Sequence, residues 1–302
     1  MLGGEGLTVR RARGEARWPT HALIVLAAVL ALAGCRGGEE IAEPSPDHTP
    51  VVIPKETPSA AADSGPGVDR RSLMLRFNNV RAGSTPKTFV NSGGAEVDVQ
   101  TVTWGPGQVS AARSPHGGAL GFPAFSAKDP GFAILSVVST GEDDTMSPAD
   151  EDFAFGADFS IDRVTTGTPA DDGDNLFQRG LYEGSGQYKI QIDNGRPSCR
   201  VAGLTGEVIV TAKARVTPGE WFRVRCTRHV NTVTLDVGTV PDTGPFEWTT
   251  TISQSAPIGT VIMPPHTPLS VGGKLAEDGT ILPASTDQFN GSVDRVLYRV
   301  FR

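Results

Sequence analysis

The densest cluster of oxygen-bearing side chains in the chain is the pentapeptide DDGDN. Asp171, Asp172 and Asp174 contribute carboxylates to it, and Asn175 contributes an amide oxygen. Oxygen ligands of this kind are the ones that calcium prefers, although the twelfth residue from Asp171 is Tyr182 and not the glutamate of an EF-hand loop. Aspartate and asparagine are also ordinary turn residues that bond their own backbone. The cluster therefore supports two hypotheses, a calcium site and a turn without a metal.

A second group of side chains suits the recognition of a polar ligand. Gln178 and Arg179 offer donors and acceptors for the hydroxyl groups of a sugar, and Tyr182 or Trp221 offers a ring for stacking. In the alternative interpretation, Arg179 pairs with Asp174 or another acid and only stabilises the sheet. These residues are candidates for ligand binding, with an internal ion pair as the competing hypothesis.

Two further aromatic residues, Phe246 and Trp248, fall on the same face of a threonine-rich stretch. Exposed rings on a sheet suit sugar stacking or a partner surface. Filling of the hydrophobic core is the alternative use of such a pair.

The elements that must position these groups are β-strands. Residues 187–193 (QYKIQID) and 221–227 (WFRVRCT) alternate between apolar and polar side chains, the period of a strand with one buried face. The tetrapeptide TPGE at 217–220 lies between them and has the composition of a turn. This pattern predicts antiparallel sheet.

Short apolar stretches separated by glycine and proline occur throughout the second part of the chain, and none has a sustained helical period. Many short strands with turn signals between them indicate an all-β sandwich or barrel. The stretches are 97–102, 132–138, 153–161, 208–210, 233–237, 269–271 and 293–300.

The N-terminus has the pattern of an export signal. Four arginines precede the apolar run Ala22–Ala33, which is shorter than the roughly 20 residues needed to span a bilayer. The run ends in LAGC, which resembles the lipobox of bacterial lipoproteins, in which the cysteine is acylated. Residues 1–34 are therefore predicted to be a lipoprotein signal peptide and Cys35 the lipidated residue; an ordinary signal peptide is the alternative.

Residues 35–70 are rich in proline and poor in aromatic residues, so we predict a disordered tether there and a globular domain at 71–302. Removal of residues 1–34 takes away four Arg and two Glu, which leaves 27 − 4 = 23 basic and 34 − 2 = 32 acidic residues, net −9. An acidic chain argues against nucleic acid as a partner. The predicted location is the extracytoplasmic side of the cell membrane, with attachment through the lipid at Cys35.

The remaining cysteines, Cys199 and Cys226, are the available intrachain pair in an exported chain with Cys35 acylated. A disulfide between them closes a loop of about 28 residues, which stabilises the fold by roughly 3–4 kcal/mol.

Residues 72–302 resemble the laminin G-like domains of the concanavalin A-like lectin/glucanase superfamily. The resemblance implies a jelly-roll sandwich of two antiparallel sheets with about a dozen strands. The motifs that carry it are DFSID at 158–162, GDNLFQRG at 173–180, QYKIQID at 187–193, PSCRV at 197–201, PGEWFRVRC at 218–226, PLSVGGK at 268–274 and FNGSVDRVLYRV at 289–300.

The superfamily contains lectins, glycan hydrolases and domains that mediate protein contacts, so fold does not fix function. Its glucanases use carboxylates spaced Glu-x-Asp-x-x-Glu on one strand. Glu142, Asp143 and Asp144 lack the closing glutamate and lie between Gly141 and Pro148, as in a solvated loop. We therefore predict no catalytic residue.

The leading hypothesis is a non-catalytic binding module for a glycan or a surface protein, with no cofactor unless calcium binds. A glycan-cleaving enzyme of the same fold and a structural or adhesive spacer are the alternatives. A ligand is expected at the rim formed by residues 168–175 and 183–186, which bracket the strand that carries Gln178 and Arg179.

Overall fold

The computed structural model describes residues 71–81, 84–86, 89–167 and 173–301. These residues form strands and loops without an α-helix, and none of their elements is an apolar helix of membrane-spanning length. The predicted signal peptide, Cys35 and the predicted tether lie outside the described residues. The strands are β1 (Ser72–Leu75), β2 (Val97–Trp104), β3 (Ser110–Ser114), β4 (Gly117–Gly121), β5 (Phe132–Ser139), β6 (Phe153–Ile161), β7 (Asp174–Arg179), β8 (Gln187–Asp193), β9 (Arg196–Gly203), β10 (Gly206–Thr211), β11 (Phe222–His229), β12 (Thr232–Thr239), β13 (Thr250–Ser255), β14 (Leu269–Val271) and β15 (Gly291–Val300).

The strands form two antiparallel sheets. One sheet has eight strands, in the order β13-β12-β11-β6-β15-β4-β3 with β1 paired to β15. The other has seven, in the order β10-β9-β8-β7-β14-β5-β2. The predicted all-β jelly-roll sandwich is confirmed, and every apolar stretch that the sequence marked as a strand lies on one.

The core between the sheets is rich in aromatic side chains. Phe155 on β6 lies 5.2 Å from Phe177 and 5.1 Å from Tyr188, measured between ring centroids, and Tyr188 lies 5.6 Å from Tyr298. All four are fully buried. Because each ring belongs to a different strand, β6, β7, β8 or β15, the cluster fixes the spacing of the two sheets across the centre of the domain.

The alternating stretches 187–193 and 221–227 do not pair with each other, in contrast to the prediction of one sheet around the turn at 217–220. Strand β8 pairs with β7 and β9, whereas β11 pairs with β6 and β12 in the other sheet. The alternation is real, but the two buried faces meet across the core and not side by side.

The predicted disulfide between Cys199 and Cys226 is present, and it joins these two sheets. Cys199 lies on β9 and Cys226 on β11, both fully buried, with their Cα atoms 6.1 Å apart.

Candidate functional site

A groove of about 700 Å³ lies over the outer face of the seven-stranded sheet. Tyr188, Ile190 and Ile192 of β8 point into the core, so the residues between them face the groove. The lining residues are Gln178, Leu181, Tyr182, Glu183, Gly184, Gln187, Lys189, Gln191, Ser198, Arg200, Ile209, Lys274, Glu277, Leu282 and Ser285.

The floor of the groove is a row of side chains in register across four adjacent strands. Side chains that lie opposite each other on neighbouring strands are close enough to contact one another or a common ligand. In order from β7 to β10, the row consists of Gln178, Lys189, Arg200 and Ile209.

The amide groups of the floor are held in one arrangement by the carbonyl oxygen of Gly180. This oxygen accepts hydrogen bonds from Gln178 Nε2 at 2.7 Å and Gln187 Nε2 at 3.1 Å. Gln178 Oε1 in turn accepts from Asn175 Nδ2 at 2.7 Å, and Gln187 Oε1 accepts from the guanidinium of Arg200. A carbonyl can only accept, so it fixes which end of each glutamine points towards it. The floor is ordered before any ligand arrives.

Gly180 itself is required by the local backbone. Its φ is +79°, and a Cβ atom at this position would lie 2.1 Å from the carbonyl oxygen of Gly186. Glycine adopts this conformation without steric cost, and it allows β7 to turn tightly into the loop that leads to β8. The carbonyl oxygen that both glutamines share therefore depends on this glycine.

Part of the rim of the groove is apolar, and one of its side chains is aromatic. Tyr182 is 71% exposed, and the guanidinium of Arg200 lies over its ring, 4.5 Å from the centroid. Ile209 and Leu282 are also exposed here. Exposed apolar side chains here surround a polar floor. A ligand that has both hydroxyl groups and an apolar face would therefore find a matching surface for each.

Two of the sequence-predicted ligand-binding residues, Gln178 and Tyr182, are brought together in the groove, whereas Arg179 is not. Arg179 points towards the core, where its Nε donates to the carbonyl oxygen of Thr267 at 2.9 Å and its Nη2 donates to Asp144 at 2.7 Å. Its acidic partner is thus Asp144 and not Asp174. The loop that contains Asp144 contributes to this internal ion pair, in contrast to the purely solvated loop expected from its sequence.

Trp221 is separated from the groove as well. It precedes β11 in the eight-stranded sheet, where its carbonyl oxygen accepts a hydrogen bond from the backbone of Val240 at 2.8 Å. Trp221 therefore does not line the groove with Gln178, and a role for its ring in ligand binding stays a prediction.

The two described members of the predicted calcium cluster, Asp174 and Asn175, are buried at the start of β7. Asp174 Oδ1 accepts a hydrogen bond from the backbone N–H of Asn290 at 3.0 Å, and Asn175 belongs to the glutamine network. Asp171 and Asp172 lie outside the described residues. In the part of the chain that the structure describes, no three His, Cys, Asp or Glu side chains are grouped as metal ligands. Calcium binding stays a prediction.

Phe246 and Trp248 lie outside the core, on the outer face of the eight-stranded sheet, which corrects the core-filling alternative. Their rings meet edge to face at a centroid distance of 4.8 Å. The guanidinium of Arg223 lies 4.4 Å from the centroid of the Phe246 ring. The guanidinium of Arg225 lies 4.7 Å from the centroid of the Trp248 ring. Both arginine–ring contacts have the geometry of a favourable cation–π interaction.

Beneath these rings, the same face carries ion pairs between neighbouring strands. Asp158 on β6 is buried and accepts two hydrogen bonds from Arg223 on β11, at 2.6 and 2.8 Å. Arg295 lies 3.8 Å from the same carboxylate, and Arg225 pairs with Asp236 on β12 at 2.9 Å. The charges of this face are largely satisfied within the protein.

The sequence interpretation missed Gln187, Lys189 and Arg200, which supply much of the floor. A signal was present, because Gln187 and Lys189 are the outward members of the alternating stretch 187–193. Long polar side chains that recur on the outward face of adjacent strands indicate a polar surface. What the sequence does not provide is the pairing of β9 with β8, which brings Arg200 beside Lys189.

In the comparison with protein families, one family model matches the second part of the chain. Residues 171–299 match the laminin G domain. The matched stretch includes β7 to β15, and with them every lining residue of the groove and both cysteines of the disulfide. Comparison with curated proteins gives no match.

Several solved structures are similar to the chain. The binding domain of Paraclostridial Mosquitocidal Protein 1 is 11% identical with a TM-score of 0.49, and the alignment covers 76% of this chain and 49% of that one. The LG1-3 region of the laminin alpha2 chain is 15% identical with a TM-score of 0.41, covering 56% and 31%. The Botulinum Neurotoxin serotype G binding domain is 8% identical with a TM-score of 0.47, covering 76% and 48%. The chain thus spans half or less of each of these structures.

Proposed function

We propose that the protein is a non-catalytic binding module that takes a glycan in the groove over the seven-stranded sheet. The observation that carries the proposal is the combination of an ordered amide and guanidinium floor with the exposed ring of Tyr182 at the rim. Sugars present hydroxyl groups along their edges and an apolar C–H surface on their faces. A site with fixed donors and acceptors beside an aromatic face matches both.

The preorganised floor also supports binding over a purely structural role. Gln178 and Gln187 are nearly completely buried, yet both line the groove, so their side chains are ordered at its surface. A ligand that binds there does not have to immobilise them, which removes a cost of roughly 0.5–1.5 kcal/mol for each side chain.

Replacement of Tyr182 by alanine is expected to weaken glycan binding at least tenfold, about 1.4 kcal/mol. The loss arises because the substitution removes the stacking ring, and with it the contact between that ring and the guanidinium of Arg200. Binding is measured on a glycan array and then by calorimetry with the best ligand. Phe301→Ala, which removes an exposed ring outside the groove, is the control and should bind as the wild type does.

Equal binding by the Tyr182→Ala variant and the wild type would contradict the assignment of the groove. A hydrolysis assay on the same glycans separates binding from cleavage. Release of shorter products would replace the binding module by a glycan-cleaving enzyme. Failure of every glycan to bind would favour a surface protein as the partner or a spacer role.

We further propose that the module is held on the extracytoplasmic side of the cell membrane by lipid at Cys35, through the tether predicted at residues 35–70. An extended chain of about 36 residues reaches on the order of 100 Å, which would carry the groove well away from the bilayer. This part of the proposal rests on the sequence pattern alone.

The Cys35→Ala variant is expected to be released into the medium or to remain unprocessed, because the thiol that accepts the lipid is missing. Fractionation of cells and medium, with the mass of the protein in each fraction, makes the measurement. A variant that stays in the membrane fraction at the mass of the processed wild type would show that Cys35 is not the anchor.

A further inference from the structure

The groove floor contains an ammonium group that is short of acceptors. The side chain of Lys189 is only 15% exposed, and its Nζ lies 3.8 Å from Asp287 Oδ2, beyond hydrogen-bonding distance. The same carboxylate oxygen already accepts a hydrogen bond from Lys274 Nζ at 3.4 Å. Among the described residues, Lys189 Nζ donates no hydrogen bond to a protein acceptor. Two partly exposed ammonium groups therefore share one carboxylate oxygen of the protein.

The other charged groups near the floor, among the described residues, do not provide Lys189 Nζ with a hydrogen-bond acceptor. Arg200 is also cationic, and its Nε is bound to Glu207. The carboxylate of Asp193 accepts from Gln191 and lies outside the ion-pair distance of Lys189. Glu183 and Glu277 line the groove but are exposed at its rim, where water screens their charge.

Partial burial of the Lys189 ammonium group carries a desolvation cost. A cation taken out of water loses hydration that only hydrogen bonds and opposite charges replace. In agreement with this, burial lowers the pKa of Lys189, against the opposing effect of Asp287 and Asp193. An anionic oxygen placed in the groove would supply the missing acceptor and the missing charge together, whereas a neutral hydroxyl supplies only the first.

We infer that the groove selects a glycan with an anionic substituent, a carboxylate or a sulfate ester, seated over Lys189 and Lys274. This inference rests on the proposed function, because it names the ligand class of the same groove. The overall charge of the chain is −7, so attraction of a polyanion must come from a local feature and not from the net charge.

The test compares glycans that differ only in their charge. Polygalacturonate and its methyl ester form one pair, and dextran sulfate and dextran form the second; a glycan array adds further matched neutral and acidic sugars. We expect the acidic member to bind at least tenfold more tightly, with affinity that falls as salt rises. The two pairs distinguish carboxylate from sulfate. Neutral glycans that bind as tightly as their acidic counterparts would overturn the inference and leave the proposed function intact, whereas no binding to any glycan would overturn both.

Lys189→Met tests the assignment to this side chain, since methionine keeps an unbranched apolar stem and removes the charge. We expect at least a tenfold loss of affinity for the acidic glycan, a much smaller loss for neutral glycans, and a melting temperature no lower than that of the wild type. Lys213→Met removes the same charge from an exposed lysine outside the groove and serves as the control. Equal losses in the two variants would identify a non-specific charge effect and refute the role of Lys189.

Discussion

Replacement of Cys199 and Cys226 by alanine is expected to lower the free energy of unfolding by about 3–4 kcal/mol. The bridge closes a loop with a sequence separation of 27. Its removal increases the conformational entropy of that loop in the unfolded chain, which favours unfolding. A domain of this kind is stabilised by roughly 5–15 kcal/mol in total, so the loss is a large fraction. Urea denaturation followed by tryptophan fluorescence measures it.

The wild type treated with a reducing agent is the natural control, because it loses the bridge without a change of sequence. It should unfold at the same urea concentration as the double variant, apart from small packing differences at the two buried sites. If both reduced protein and variant unfolded at the urea concentration of the oxidised wild type, the connection between β9 and β11 would not contribute to stability.

The second large effect is expected at Asp158. Its replacement by alanine should lower the free energy of unfolding by about 3 kcal/mol, because it leaves the guanidinium of Arg223 without its two hydrogen bonds. We choose the lower end of the range for a broken buried pair because Arg223 is 21% exposed and reaches some water. Chemical denaturation of the variant gives the value.

A double variant separates the contribution of the ion pair to stability from the contributions of its two residues. Asp158→Ala combined with Arg223→Met should be less destabilised than Asp158→Ala alone, since the guanidinium that donated two hydrogen bonds to Asp158 is removed as well. Asp242→Ala removes a carboxylate from an exposed loop and should unfold as the wild type does. A double variant that is as destabilised as Asp158→Ala alone, or more so, would contradict this account of the pair.

The strands were predictable from the sequence because burial of one sheet face imposes a period of two. The stretch 187–193 illustrates this, with Tyr188, Ile190 and Ile192 all buried on β8. The same period does not reveal which sheet a strand joins. Residues 187–193 and 221–227 carry equivalent patterns, yet they lie on opposite sheets, because pairing depends on contacts between distant parts of the chain.

The candidate site was predictable only in part for a related reason. Gln178 and Tyr182 were identified from their chemical type, and both line the groove. Arg179 has equally suitable chemistry, but it is adjacent to Gln178 on the strand and therefore points to the opposite face. Trp221 has a suitable ring and lies on the other sheet. Chemical type identifies candidates, and the pairing of strands decides which of them meet.

The shared carbonyl of Gly180 has a consequence for attempts to redesign this groove. Any change at Gln178 or Gln187 disturbs an acceptor on which the other glutamine also depends, so floor positions are coupled and their effects should not add. Leu282 stands at the rim outside that network, whereas Tyr182 contacts it through the guanidinium of Arg200. A library intended to change ligand preference is therefore best built on the rim, with the floor kept as a constant scaffold.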